Sequence, residues 1–541
     1  MNGNEKKLNE DILQAVKEGE KKRLQYLNEK ALLSVNEISE YVSKDDWSDG
    51  EFADRLAKLY GNDLKYNHDI KSWLRWNGNV WEFDRSRKVQ QIIEGNSEVL
   101  SKIITSYDKM ILETEGDKDL KASNNKMKHT RADVSKLYNR LRSARGINGI
   151  DELLQNRECF VTRQDSYDKD DWLINARDCV YKLDDDENPI REHDRKYLCT
   201  KIMDLEINSE NAQEPPATWL KFLNDISNGR PEWIEYLQKV LGYCLTGDTS
   251  EQKIFFFYGD GANGKSTLCN VIRDIFGGYA KSVRPSIIAN NNKNDSPDQA
   301  NSELASLPNI RLALAEEGSQ GVSLDEATVK QITGGTEIST RKLYADTFQF
   351  TPKFKLIMCT NHKPRISGND YGIWRRVILI PFDRIFKENE KDKTLGEKLK
   401  KEYPQILNWI INGFYSWQAD GLDDKPQCIQ DAISEYKDDE NPLSDFTAIC
   451  LKLDESEEVK SGDLWKVYDL FCADEQIRNS ISQTTFGKII RALPGVKKKR
   501  KRDGIYYSGL KFTDRAMELL NPFDNGGYNI DDINKYRKKV K

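Results

Sequence analysis

Residues 5–33 set Leu8, Ile12, Val16, Leu24, Leu27 and Ala31 at loosely helical spacing among Glu and Lys, which predicts one or two solvated amphipathic helices. From Trp73 to Asp84 the segment WLRWNGNVWEFD alternates apolar and polar positions around Asn77-Gly78. That is the pattern of a β-hairpin whose three tryptophans pack a core. Helical periodicity resumes over 87–145, and DDDENPIREHDRK at 184–196 reads as a loop. After the break at Pro215-Pro216, WLKFLNDI and WIEYLQKVLGYCL read as buried helices. Short apolar runs follow, KIFFFY from Lys253, IRLALA from Ile310 and KLIMC from Lys355, with another behind Arg376. Each suits a buried strand of a parallel sheet. Near the end, the apolar positions of 464–471 and Phe486, Ile489, Ile490 and Leu493 behind Ser482 predict two helices. Pro494-Gly495 ends the second, and VKKKRKR, Asp503-Gly504 and IYY form a hairpin, the order of a winged helix.

The first of these apolar runs leads directly into Gly259, Asp260, Gly261, Ala262, Asn263, Gly264, Lys265 and Ser266, with Thr267 next and a helical pattern behind. This is G-x-x-x-x-G-K-[ST] between a strand and a helix, a phosphate-binding P-loop. Its backbone N–H groups cradle phosphates, the helix N-terminus faces them, Lys265 reaches the β/γ-phosphates and Ser266 binds Mg²⁺. The second run ends in Glu316-Glu317. We assign Glu316 to the Mg²⁺ shell and Glu317 to the attacking water, roles the sequence leaves interchangeable. The third run ends in Thr360-Asn361, where an amide can both donate and accept beside a γ-phosphate. Arg375 and Arg376 precede the last run and are candidates to neutralise charge on a transferring phosphoryl group, from a neighbouring subunit in ring-shaped ATPases. Each residue has a plainer reading, as a turn, a capped strand or a surface ion pair; their order along the chain favours the site.

Composition narrows the class. Hydrophobic residues make up 38% of the 541 positions and charged residues 32%, with mean hydropathy −0.74, which fits a globular chain of three or four domains. No apolar run suits a membrane span and no apolar stretch follows the N-terminal charges as in a secretory signal, so the expectation is a cytoplasmic protein without a membrane partner. The nine cysteines form no C-x-x-C pair and are expected as buried reduced thiols. Net charge is −6, yet 491–511 carries eight Lys/Arg against one Asp, and KYRKKVK closes the chain. On a hairpin, Lys497, Lys498, Lys499, Arg500, Lys501 and Arg502 form a phosphate-binding footprint, although a solvated charge run or a localisation signal has the same composition.

The ordered set GDGANGKS, LALAEE, ITGGTEISTRKLYADTFQFTPKFKL, IMCTN and GIWRRVILIPF resembles the superfamily 3 helicases, in particular the phage/plasmid and poxvirus-type primase-helicases, over about residues 170 to 515. Within them it is most similar to replication initiator-helicases of phage-related mobile genetic islands, which implies the cytoplasm of a bacterial or phage-infected cell. The resemblance implies an AAA+-type α/β ATPase core with a parallel sheet, a mixed helical N-terminal region and a C-terminal winged helix. It also implies a homo-hexamer that binds ATP and Mg²⁺ between subunits, encircles single-stranded DNA, moves 3′ to 5′, unwinds duplex at an origin and works with a primase or polymerase. Lys265 and Ser266 match the Walker A pair, Glu316 and Glu317 the Walker B pair, Asn361 the sensor, and Arg375 and Arg376 the arginine-finger position. Arg341 and Lys342, in a hairpin over 338–350, match the residues that touch DNA in the ring channel. Longer relatives carry a primase domain with a carboxylate pattern that Asp45, Asp46 and Asp49 do not convincingly supply. The expected division is an accessory region over 1–190, a helical segment over 191–250, the ATPase core over 251–440, a winged helix over 441–520 and a basic tail over 521–541. Two other activities remain open at this point: an ATP-gated initiator or loader without processive unwinding, and a primase-helicase with a diverged N-terminal site.

Overall fold

The run at 253–258 forms strand β1 (Ile254–Tyr258), in which only Tyr258 is not fully buried. Four more parallel strands join it: β2 (Ala280–Val283), β3 (Leu312–Glu316), β4 (Lys355–Thr360) and β5 (Val377–Pro381). Their order in the sheet is β5-β1-β4-β3-β2. Strands buried on both faces need continuous apolar sequence, which is why β1, β4 and β5 stand out as runs. The computed structural model describes residues 47–118, 121–289, 303–316, 323–341, 347–366, 371–440, 443–475, 477 and 481–520. The helices expected in 5–33 and the tail 521–541 lie outside these residues.

Helix α1 (Lys265–Phe276) follows β1 and buries Leu268, Val271, Ile272, Ile275 and Phe276 against the sheet. One continuous core runs from Ile174 to Tyr436 and takes in the helices Ala217–Ile226, Pro231–Leu245 and Tyr403–Asp420. The segment expected to be separate over 191–250 is therefore part of the sheet's own unit, which begins near residue 170.

Two cations cement this join at the edge where β3 and β4 begin. Arg311 is 4% exposed; it donates to the carbonyls of Leu245 at 2.6 Å and Leu173 at 2.7 Å and lies 4.7 Å from the Tyr279 ring centre. Lys355 is 2% exposed and donates to the carbonyls of Thr246 and Asp248, beside the Tyr243 ring. Both use carbonyls at and just past the C-terminus of Pro231–Leu245, where the helix dipole favours positive charge. Burial still lowers the Lys355 ammonium from 10.5 to about 7.

Ahead of this unit, 47–162 has its own core. Strands Ser72–Trp76 and Trp81–Phe83 form the expected hairpin, Trp76 opposite Trp81, and Trp73, Trp76 and Trp81 are all buried. The periodicity of 87–145 resolves into a long antiparallel pair, Lys88–Glu113 and Lys121–Leu141, with a further helix from Ala144. The loop expected at 184–196 holds one short strand, Ile190–Arg191, and a 3₁₀ turn, Arg195–Tyr197. Asp49, read as loop, opens the helix Asp49–Tyr60 and pairs with Arg140 at 2.6 Å.

The third core belongs to 443–520. Helices Ser461–Asp474 and Gln483–Ala492 pack on a three-stranded antiparallel sheet of Leu451–Lys460, Gly504–Phe512 and Lys497–Lys501, with Gly504–Phe512 in the middle. Ser482 caps the second helix through the N–H of Thr485. Among the described residues no helix is long and apolar enough to cross a membrane.

Among the thiols, Cys269 on α1 and Cys359 on β4 meet through the packing of α1 on β4, with Cα atoms 7.9 Å apart, wider than an unstrained disulfide spans. Of the other seven cysteines, five are buried, Cys428 is half-buried and Cys159 is exposed.

Candidate functional site

Because β4 lies between β1 and β3, the chain leaves three adjacent strands at one edge of the sheet. Thr360 is opposite Tyr258, and Glu316 is opposite Cys359. The loop 259–264, Glu316 and Asn361 therefore emerge side by side, at the carboxyl edge where open α/β sheets bind ligands.

The loop is braced from outside. Gly264 has φ +88°, and a Cβ there would come within 2.6 Å of Ile226 Cγ2, so only glycine fits. A Cβ on Gly259 would run into the Phe382 carbonyl, whereas Gly261 meets nothing within 4 Å. The Phe386 N–H donates to the Ala262 carbonyl at 2.8 Å, fixing the loop to the segment after β5. Asn263 is 3% exposed and acts inside the loop: its Nδ2 donates to Phe382 O at 3.3 Å and its Oδ1 accepts from Lys265 Nζ at 3.2 Å. Lys265, 6% exposed, also donates to the carbonyls of Gly259 and Asp260. Asp260, Gly261, Ala262 and Ser266 face solvent, and Thr267 is half-buried.

Glu316 ends β3 with its carboxylate 3.6 Å from Arg273 of α1. The exposed Asn361 follows Thr360, whose Oγ1 accepts from the His362 N–H at 3.1 Å and so shapes the turn. Two residues on, Lys363 is clasped by Asp439 at 2.8 Å and Glu435 at 3.2 Å from the helix Gln427–Glu440. Burial disfavours the Lys363 ammonium, yet these carboxylates raise its pKa overall. Ser266 and Glu316 offer hard oxygen donors at the same edge, a set that suits Mg²⁺. Glu317 and Lys342 lie outside the described residues.

Arg375 and Arg376 stand at the other edge. They precede β5, whose first residue Val377 is opposite Ile254 at the start of β1. The length of a five-residue strand, about 16 Å, separates them from the loop of their own chain. The two arginines also differ from each other. Arg375 is exposed and donates to Gln252 Oε1 at 2.5 Å. Arg376 is 9% exposed and donates to Thr333 Oγ1 at 3.0 Å and to the Gly372 carbonyl. Sequence reasoning missed Thr333, Gln252 and the Phe382–Phe386 brace; only their proximity in the fold marks them. The strands Ile338–Arg341 and Thr347–Phe350 pair as the expected hairpin, with Arg341 exposed and opposite Thr347.

Lys497–Lys501 is exposed at every position, and Arg502 in the turn is exposed too. A family described as D5 N terminal like matches residues 53–228, and one described as poxvirus D5 protein-like matches 438–522. The two matches lie on either side of the strands β1 to β5 in sequence. Residues 257–376 between them match a family of unknown function (DUF5906). Among curated proteins, the chain is 28% identical over 423 residues to "Putative helicase L207/L206" of Acanthamoeba polyphaga mimivirus, covering 72% of the chain and 42% of that protein. It is 24% identical to "Primase D5" of Fowlpox virus, over 45% of the chain and 33% of that protein. It is 30% identical over 146 residues to "Putative helicase 022R" of Frog virus 3, over 26% of the chain and 15% of that protein. The chain thus spans less than half the length of each of these relatives. A solved structure of the NrS-1 C terminal region aligns over 90% of the chain and 93% of its own, loosely, at TM-score 0.44 and 10% identity.

Proposed function

We propose that this chain is the ATP-driven motor of a replicative DNA helicase of the superfamily 3 type, working as a ring of identical subunits, hexameric and 3′ to 5′ as its sequence resemblance implies. The observation that carries the proposal is the division of the site between the two edges of one sheet. Lys265, Ser266, Glu316 and Asn361 gather at the carboxyl edge, and the solvent-facing Arg375 stands at the opposite one. A chain so arranged holds its phosphate loop at one edge and its exposed Arg375 at the other, while the arginine on the loop side, Arg273, is paired with Glu316. Stacking subunits edge to edge brings the Arg375 of one copy to the loop of the next and completes the site.

In this reading the loop amides and Lys265 hold the β- and γ-phosphates of ATP, Asn361 and Glu317 orient water, and Arg375 meets the charge that develops on the transferred group. Mg²⁺, held by Ser266 and Glu316, would supply charge neutralisation between the phosphates. Arg341 and Lys342 touch the single strand in the channel, and the C-terminal module, as a winged helix, binds duplex at an origin. The names borne by the relatives, helicase and primase, agree with such a role.

The test is ATP hydrolysis with and without single-stranded DNA, beside strand displacement from forks bearing a 3′ or a 5′ tail. Stimulated hydrolysis with displacement from one fork type is expected, and Lys265→Ala removes both. Stimulation without displacement would favour an initiator or loader; labelled ribonucleotide incorporation on a single-stranded template would restore the primase reading.

A further inference from the structure

The six consecutive basic residues of the C-terminal hairpin do not form one surface. Side chains alternate between faces along a strand, and cross-strand partners share a face. Lys498 is opposite Tyr507, which is opposite Val459, and both are buried in the core of the module. Arg500 is two residues further along the same face, opposite Ile505. This is the side that carries the helix Gln483–Ala492: a Cβ at Gly487 would lie 3.1 Å from Tyr507 Oη. The outward stripe of that helix, Thr484, Lys488 and Arg491 at i, i+4 and i+7, is exposed.

Lys499 and Lys501 point the other way. Lys499 is opposite Tyr506, which is opposite Lys460. On this face Glu458 pairs closely with Lys501 and lies 3.9 Å from Lys499. The Lys501 ammonium sits 4.6 Å from the Tyr506 ring centre, and Tyr506 Oη donates to Asp503 at 2.6 Å. Asp503 also pairs with Lys460 at 3.3 Å. Lys460, Lys499 and Lys501 share two carboxylates here, so these three are largely neutralised within the module, and Lys497 at the far end of the same face stays exposed. Lys498 and Arg500 have no acidic partner among the described residues.

We propose that duplex DNA lies across the helix-bearing side of this module, with Lys498 and Arg500 gripping phosphates beside Thr484, Lys488 and Arg491, and that Glu458 withholds Lys499 and Lys501 from DNA. The proposal rests on the reading of this module as a duplex binder and divides its basic residues in a way that composition cannot. A lysine already paired with a carboxylate exchanges one ion pair for another on meeting a phosphate, and the nearby Glu458 repels the backbone. An unpaired lysine or arginine releases a counterion without that offset.

The experiment is fluorescence anisotropy of the full-length chain on a labelled duplex from 50 to 300 mM salt, comparing Lys498→Ala/Arg500→Ala, Lys499→Ala/Lys501→Ala and Glu458→Gln. The first pair should lower the slope of log affinity against log salt by about 2, and affinity at low salt by at least about tenfold. The second should change the slope by less than about 0.5. Glu458→Gln, which frees two lysines without truncating them, should tighten binding and steepen the slope. Equal losses from the two pairs, a larger loss from the second, or no gain from Glu458→Gln would overturn the division. A wild-type chain with no salt-dependent duplex binding at all would overturn the duplex reading itself, and the division with it. All five positions are solvent-facing or paired at the surface, and thermal melting of each variant separates lost contacts from lost folding.

Discussion

Arg376 donates from Nε to Oγ1 of Thr333 at 3.0 Å, in a buried contact that ties the start of β5 to the last turn of the helix leading into the 338–350 hairpin. Its neighbour Arg375 shares Gln252 with it. Two arginines that look alike in sequence are thus a packing element and an exposed cation. Arg376→Ala should destabilise the chain by about 1–3 kcal/mol, because it removes the buried hydrogen bonds to Thr333 Oγ1 and the Gly372 carbonyl. Arg375→Ala should change stability by less than about 0.5 kcal/mol and yet lower ATP turnover on the order of a thousandfold. Denaturant melts beside hydrolysis rates check both. Mixing Arg375→Ala with Lys265→Ala subunits should restore part of the lost rate, since each supplies what the other lacks at a shared interface.

The proposed nucleotide binding has a readout independent of turnover. A ligand that binds only the folded chain stabilises it by about 2.7 kcal/mol at a hundredfold excess over its Kd. Wild-type chain should therefore melt at higher temperature with ATP and Mg²⁺, and Lys265→Ala should show little or no shift. A full shift in Lys265→Ala would move phosphate recognition elsewhere.

Asn361 makes no hydrogen bond among the described residues, and its turn is held by Thr360 and by the grip on Lys363. Truncation to alanine should leave melting unchanged and nucleotide affinity within about threefold. It should lower the maximal hydrolysis rate by about 10²-fold, as the loss of one positioned polar group does. A fall in affinity without a fall in rate would make Asn361 a binding residue instead.

Lys355 sets a pH dependence with a definite sign. Burial lowers its ammonium to about 7 in the folded chain, against 10.5 when exposed. Below about pH 7 both states are charged and the folded state carries the whole burial penalty. From there towards 10.5 the unfolded state binds more protons, so stability rises with pH. Wild type should gain on the order of 1–2 kcal/mol between pH 7 and 9 relative to Lys355→Met in urea melts. A difference that shrinks over that range would reverse the assignment.

The apolar runs of β1, β3, β4 and β5 were legible in the sequence because both faces of the sheet are buried, and so was the glycine loop, because its chemistry is local. β2 was not, since Ala280–Val283 is a half-exposed edge strand with Lys281 and Ser282 inside it. The strand Leu451–Lys460 escaped for a related reason: only Leu451 and Val459 are buried, and its centre is acidic. Strand order could not be read either, because placing β4 between β1 and β3 depends on contacts 102 residues apart with β1 and 43 apart with β3. The difference between Arg375 and Arg376 was equally invisible, as it rests on Thr333, 43 residues upstream. The division of the basic residues of the hairpin follows from register, which the run KKKRKR conceals.

Arg311 and Lys355 also bear on how such a chain can be inherited in pieces. A recombination breakpoint near residue 250, between the two upstream family matches, would separate the helix ending at Leu245 from the strands that begin at these cations. Unless the incoming segment brought carbonyls to the same two places, the recombinant would carry a pair of unanswered charges beneath its sheet. The sheet and the helix before it are therefore one heritable unit, even though no family match spans both.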